Sequence, residues 1–291
     1  MNIEFKWIAI LGYPRNEHLF FTHQILYNWL KKKGYNVVIE YSISKFVNIK
    51  SAKIFTFVEI GEQCDLGIVI GGDGNMLYVS RMLSSYPIKL IGINCGNLGF
   101  LTDLQPKNMF LGLFDILSGN FFLEKRFLLE VSVENQKIKK KSVAVNEVMI
   151  SSIKKSYMMS LKVYLDNQFA FYQRSDGIMI STPTGSTGYY LSAGGAILSP
   201  TSEVISIISI LPHTLSSRPI IINNNTVIMI KLFNSENNFE ISCDSQVILP
   251  IKHENKIFIY KSKYYINLIH PKSYHYLKVL RKKLDWFKNF F

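Results

Sequence analysis

The apolar residues of this chain change their period once, near residue 120, and that change limits what each part can fold into. Upstream of it, strand-like and helix-like runs alternate. Trp7 to Leu11 is a short apolar run, Asn16 to Lys33 carries Leu19, Phe20, Ile25, Leu26 and Leu30 at helical spacing, Gly34 stands where a helix ends, and Tyr35 to Glu40 again reads as a strand. A second unit repeats the order: the wholly apolar Leu66 to Ile70, the loop Gly71 to Gly74, a helix through Leu83 and the strand Lys89 to Asn94. Successive β-α-β units predict an α/β domain with a doubly wound parallel sheet over residues 1–120.

Downstream the period becomes two. Ser142 to Val145, Leu129 to Val133 and Leu161 to Leu165 alternate, and Asp166-Asn167 reads as a two-residue hairpin turn into Gln168 to Tyr172. Thr226 to Leu232, Phe239 to Cys243 and Lys256 to Tyr260 continue the series, which predicts a largely antiparallel, β-rich domain over residues 121–271. The tail from Tyr274 to Leu284 sets Leu277, Leu280 and Leu284 against Lys278, Arg281 and Lys282, the pattern of a closing amphipathic helix. That helix, within 272–291, is expected to pack back on the first domain.

At 48% apolar and 19% charged residues the chain has ample material for a core. Its formal charge of +12 suits nucleic acid, an anionic membrane or a polyanionic small substrate. Lys, Ile and Asn are abundant throughout, as in Asn223 to Asn225 and Asn234 to Asn238, so the excess reads as a chain-wide bias, and no nucleic-acid partner is expected. The longest apolar stretches, such as Val204 to Pro212, fall far short of the ~20 residues that cross a bilayer. Met1 to Lys6 does not read as a secretory signal, and a cytoplasmic protein without a membrane partner is expected. Cys64, Cys95 and Cys243 are scattered and odd in number, so they are expected to be reduced thiols, in neither a disulfide framework nor a zinc site.

Gly71-Gly72-Asp73-Gly74-Asn75 follows an apolar strand and precedes a helix, where open α/β sheets bind ligands. Glycines let backbone N–H groups approach an anion, and the helix presents its positive end to the same spot. Asp73 would repel a phosphate there, which points to a purpose: holding Mg²⁺ or taking a proton from an attacking hydroxyl. The plainer alternative has Asp73 capping the next helix. The loop is neither a Walker A motif nor a G-x-G-x-x-G fingerprint. A second constellation runs from Arg174 to Gly195: a strand, the loop Thr182-Pro183-Thr184-Gly185-Ser186-Thr187, and a short helix capped by Ser186 or Thr187. Its hydroxyls, amides and the rings of Tyr189 and Tyr190 suit a nucleotide, although either tyrosine alone could be core. Asn146-Glu147 matches the vicinal hydroxyls of a ribose, but taken alone the pair favours a solvated strand end. His213, Arg218, Asp244 and Gln246 are each compatible with loop surface.

Together these pieces resemble the NAD kinase family over nearly the whole chain. Five motifs stand in the family's order: Gly71 to Asn75, Asn97-Leu98-Gly99-Phe100-Leu101, Asn146-Glu147, Asp176-Gly177 leading into Thr182 to Thr187, and Asn267-Leu268-Ile269-His270-Pro271. The resemblance implies transfer of a phosphoryl group from ATP to the adenosine-ribose 2′-hydroxyl of NAD, giving NADP and ADP. It implies that residues 1–120 bind the phosphate donor and 121–271 bind NAD. Asp73 matches the proton acceptor, with Gly71, Gly72, Gly74 and Asn75 at the phosphates. Asn146 and Glu147 match the ribose-holding pair, and PLACEHOLDER Thr187, Gly188, Tyr189, Tyr190, Leu191 and Ser192 match the adenine and ribose pocket, and Gln246 a ligand contact. Gly188 departs from the alanine usual there and should loosen that turn slightly. Also implied are Mg²⁺ or another divalent cation accompanying ATP, no permanently bound metal, and a homo-oligomer, commonly a tetramer. GGDGN alone also fits lipid kinases of the diacylglycerol type, and a non-catalytic NAD(P)-binding sensor is the alternative from another class.

Overall fold

In the computed structural model the chain divides into two compact units, Met1–Lys125 with Ile266–Phe291, and Arg126–Tyr265. The structure describes residues 5–14, 17–47, 49, 51–96, 99–134, 139–153, 157–233, 239–252 and 254–286. The sequence features at Met1 to Glu4, Asn16, Asn97-Leu98 and Asn234 to Asn238 lie outside the described residues.

The first unit opens with β1 (Trp7–Leu11), α1 (Glu17–Lys32), β2 (Asn36–Glu40), α2 (Tyr41–Ser44) and β3 (Lys53–Phe55). It continues with α3 (Phe57–Gln63), β4 (Leu66–Gly71), α4 (Asp73–Leu83), β5 (Lys89–Asn94) and α5 (Met109–Leu117). The strands pair in parallel in the order β3-β2-β1-β4-β5. The predicted doubly wound sheet is present: the chain progresses one way from β1 to β3, then returns to β1's other edge with β4, so the order reverses between β1 and β4. Every residue of β4 is buried, as its unbroken apolar run requires in a sheet covered on both faces. Leu26 and Leu30 of α1 pack into the same core as Ile10, Ile68 and Ile91. Ile25, grouped with them by spacing, lies on the flank of that stripe and is half exposed.

The second unit is built from β6 (Phe121–Glu134), β7 (Lys139–Ala144), β8 (Glu147–Ser152), β9 (Met159–Leu165), β10 (Gln168–Ser181), a short α6 (Tyr189–Ser192) and β11 (Val204–Pro212). After these come β12 (Ile220–Asn223), β13 (Ile228–Phe233), β14 (Phe239–Cys243), β15 (Val247–Ile251) and β16 (Lys256–Pro271). Pairings inside it are antiparallel, with β14, β8 and β10 side by side and β10 also flanked by β9 and β11. Alternating burial along β9, β13 and β14 places Leu161, Val163, Ile228, Ile230 and Ile241 in one core. Asp166 and Asn167 both have positive φ, 48° and 66°, the conformation a two-residue hairpin turn demands. The predicted combination of an α/β part, a largely antiparallel part and a closing helix therefore holds.

β16 returns the chain to the first unit, where Asn267 and Leu268 add a parallel strand beside β5. The closing helix, α7 (Tyr276–Leu284), buries Leu280 but leaves Leu277 about half exposed. Nine residues make only two and a half turns, and the buried stripe is correspondingly narrower than the leucine spacing suggested.

Candidate active site

In the first unit the phosphate-loop residues lie at the switch point between β1 and β4. Gly71 (φ 141°) ends β4, and Gly72 is the N-cap of α4 without any side-chain cap bond. Asn75 braces the loop, its Nδ2 donating to Ile70 O at 3.0 Å and to Tyr13 O at 3.1 Å. A side chain on Gly71 would run into that amide. A cavity of about 280 Å³ opens here, bounded by Tyr13, Leu19, Gly71, Gly72, Gly74 and Asn75.

Asp73 is the first residue of α4, and the helix-capping alternative is overturned: its carboxylate points to the segment after β5. Oδ2 accepts the Phe100 N–H at 2.8 Å and Oδ1 the Leu101 N–H at 3.1 Å. Gly99 is required beside them, because a Cβ there would collide with Asp73 Oδ1. The segment is itself fastened. Leu104 N donates to Gly92 O (3.1 Å), Asn94 N to Leu104 O (2.7 Å), and the neighbouring Asp103 lies 2.6 Å from Nδ1 of the buried His270, the histidine of the last motif. Lys283 of α7 brings Nζ to 3.5 Å from Asp73 Oδ2.

In the second unit three strand ends gather Asn146, Glu147, Thr182 and Asp244. Antiparallel register sets Glu147, the first residue of β8, opposite Ser181, the last of β10, and Val148 opposite Cys243 at the end of β14. Asp244, which the sequence left as loop surface, is buried, and its carboxylate accepts the N–H groups of Val145 (3.0 Å), Asn146 (2.7 Å) and Glu147 (3.2 Å). It does so from the turn joining β14 to β15, where Asp244 and Ser245 both have positive φ. Thr182 ties the next loop to the same place: its N–H donates to Asn146 O (2.8 Å) and its Oγ1 to Val145 O (2.7 Å), while Oγ1 accepts the Gly185 N–H (3.1 Å). The buried Arg126, which sequence reasoning did not single out, donates to Thr184 Oγ1 at 3.2 Å.

This framework leaves unsatisfied groups. Among the described residues, Asn146 Oδ1 and Glu147 Oε2 are buried side-chain atoms with no hydrogen-bond partner. Burial pushes the Glu147 carboxyl up to about 8, and the nearby Asp244 charge pushes the same way. Unpaired polar atoms of this kind cost about 1–3 kcal/mol each and mark a place where a polar ligand is accommodated. Gly188 faces the pair, since a Cβ there would lie 3.2 Å from Asn146 Nδ2 and 3.8 Å from Glu147 Oε2.

The remaining sequence candidates divide. Gly188 is the N-cap of α6, so neither Ser186 nor Thr187 caps it. Their hydroxyls donate instead to Pro183 O and Thr184 O, and Ser186 Oγ also accepts the Leu198 N–H. Tyr190 is wholly buried against Met179 and Ile208, leaving no face to stack on a base, whereas Tyr189 is 46% exposed. Leu191 is half-buried, Ser192 and Gln246 are exposed, and Gln246 lies two residues beyond Asp244. Arg174 is exposed and Asp176 half-buried in the middle of β10. At ~3.3 Å per residue Asp176 stands roughly 17 Å from Ser181, so the fold of this unit does not bring it to Glu147.

A family model described as the ATP-NAD kinase N-terminal domain matches residues 8–121, and the ATP-NAD kinase C-terminal domain matches 145–271. The chain belongs to the NAD kinase family. An NAD kinase from Buchnera aphidicola subsp. Schizaphis graminum is 53% identical over 99% of both chains, and one from Enterobacter sp. (strain 638) is 50% identical over the full length of both. Membership makes the chain a phosphotransferase, and neither a lipid kinase nor a non-catalytic sensor finds support in these matches. The family's fold is shared by yeast NADH kinase complexed with NADH (TM-score 0.89, 21% identity, 100% of this chain and 90% of that one). It is shared too by an Archaeoglobus fulgidus NAD kinase in complex with ATP (TM-score 0.75, 23% identity, 96% and 98%). Among the described residues no helix is long and apolar enough to cross a membrane.

Proposed function

We propose that the phosphoryl group of ATP is delivered at Gly71 to Asn75, that Asp73 accepts or orients the adenosine-ribose 2′-hydroxyl of NAD, and that Asn146 and Glu147 hold the ribose. The observation that carries this reading is the unsatisfied pair Asn146 Oδ1 and Glu147 Oε2, buried together on a backbone that Asp244 fastens. Two acceptors side by side suit two neighbouring hydroxyl donors, which a ribose supplies. The transition state of phosphoryl transfer is loose, so positioning and charge neutralisation outweigh proton abstraction, and Asp73 serves chiefly to align the hydroxyl.

Among the described residues no three His, Cys, Asp or Glu side chains gather as a metal site. A Mg²⁺ ion entering with ATP fits that arrangement, because Mg²⁺ is commonly held by substrate phosphates, water and one or two carboxylates, and Asp73 is the carboxylate at hand. The ion supplies charge neutralisation on the transferring phosphate. The exposed Leu211, Leu215, Ile220 and Ile221 of the second unit support a homo-oligomer, which sedimentation analysis tests directly. Cytoplasmic location follows from the substrates, which are cytoplasmic metabolites.

The test joins donor, acceptor and position of transfer. Supplied with Mg²⁺, ATP and NAD, the purified protein forms NADP, while an NAD analogue lacking only the adenosine 2′-hydroxyl binds without yielding a phosphorylated product. Phosphorylation of the analogue refutes the position of transfer, and ATP consumption only on addition of lipid refutes the acceptor.

A further inference from the structure

The phosphate loop carries a conflict of charge. Gly71 to Asn75 offers backbone N–H groups and the start of α4 to an anion, yet sets the Asp73 carboxylate among them. A triphosphate brought to that loop meets a like charge, which weakens its binding and displaces the carboxylate unless a cation offsets it.

A cation comes from the last turn of α7. Lys283 Nζ lies 3.5 Å from Asp73 Oδ2 and 4.0 Å from the centre of the Phe100 ring, and the Phe100 N–H donates to the same oxygen at 2.8 Å. One residue thus supplies both the amide that fixes the carboxylate and the aromatic face that confines the ammonium. The pair is unlike a solvated surface bridge: the Lys283 and Asp73 side chains are 27% and 30% exposed, and the carboxylate is anchored by two backbone donors independently of the lysine. A long, mobile side chain held at both its charge and its stem loses little further freedom when it acts.

We propose that Lys283 is a positioning residue for phosphoryl transfer, holding the Asp73 carboxylate in place and offsetting its charge while donor phosphates occupy the adjoining loop. The inference rests on the role proposed above for Asp73, through which Lys283 acts.

Lys283→Met keeps the stem over Phe100 and removes the charge. Turnover at saturating ATP and NAD falls by about ten- to hundredfold, while KM for NAD moves less than about threefold. Lys283→Arg, which keeps the charge and the aromatic contact, recovers most of the loss. In Lys283→Ala, ethylammonium or propylammonium added to the assay restores part of the turnover, a response that a prop holding up the helix would not give. Wild-type turnover in Lys283→Met, alongside an inactive Asp73→Asn, overturns the inference and leaves the role of Asp73 standing. Near-normal turnover in Asp73→Asn refutes that role itself. A loss in Lys283→Met that neither arginine nor amine repairs, with a lowered thermal midpoint, shows that the lysine only stabilises the fold and also overturns the inference.

Discussion

Glu147 is a carboxyl kept from water with one oxygen unsatisfied, and two measurable consequences follow. Its pKa is raised from 4.5 to about 8 in the folded chain, so between those values the native state holds a proton that the unfolded state has released. Its contribution to stability is full below about 4.5 and is lost as the pH rises through about 8. The ligand-free protein should lose thermal stability across that window, and Glu147→Gln should flatten the dependence; parallel curves would assign the loss to another group. At pH 7 the carboxyl is largely protonated, whereas a ribose donating two hydroxyls favours the ionised form. NAD binding should therefore release up to one proton, read by calorimetry in buffers of different ionisation enthalpy. Asp244 controls the same pair through three backbone N–H groups. Asp244→Asn converts one acceptor oxygen into a donor facing those amides, and KM for NAD should rise by about tenfold or more, with Glu147 itself intact. The sequence gave no hint of Asp244, because a turn aspartate that reaches back across a hairpin looks like any turn aspartate. Asn146 and Glu147 were visible as a pair, but their burial depends on a strand about 100 residues away, a distance no local pattern spans. The thiols are inert for a related reason: burial pushes Cys64 up to about 12 and raises Cys95.

Elements long enough to show a period were readable from sequence, and those that were not escaped. β1, β4, α4 and β5 lie within a residue or two of their predicted spans, since strand and helix periods separate cleanly there. Residues 41–63 held no such signal: α2 has four residues, β3 has three, and Ile54 in β3 faces outward. α3 could have been found from its start, because Thr56 and Glu59 form a capping box. The uninterrupted apolar stretch Met109–Leu117 has neither period, yet it forms α5, with Gly112 admitting the side chain of Leu104. The glycines give a prediction at this scale. Gly12 and Gly34 both have positive φ, 102° and 89°, but a Cβ at Gly34 meets nothing, whereas one at Gly12 strikes the backbone carbonyl of Ile70 in β4. Gly34→Ala should cost about 1–2 kcal/mol in urea unfolding. Gly12→Ala carries the same strain plus a collision that no side-chain rotation relieves, and should cost well beyond that or abolish soluble expression. Equal losses would show that the β1–β4 edge yields.

For the whole molecule, the order of the motifs says more than any one of them. The GGDGN loop fits more than one class of kinase, and Asn146-Glu147 alone reads as surface; their succession along one chain narrows the reading to one family. The fold then explains the spacing, since loop, ribose pair and Thr182 loop each fall at a strand end. The first unit is not continuous in sequence, however: it is interrupted by Arg126–Tyr265 and resumes at Ile266. During synthesis, β5 is made with an open edge and must wait for Asn267 and Leu268 to emerge from the ribosome before it gains its neighbour. Asp73 waits longer still, until Lys283 has been made. A nascent chain that already carries every glycine of the phosphate loop is thus still an unfinished enzyme, and premature termination yields inert protein instead of a partly active one.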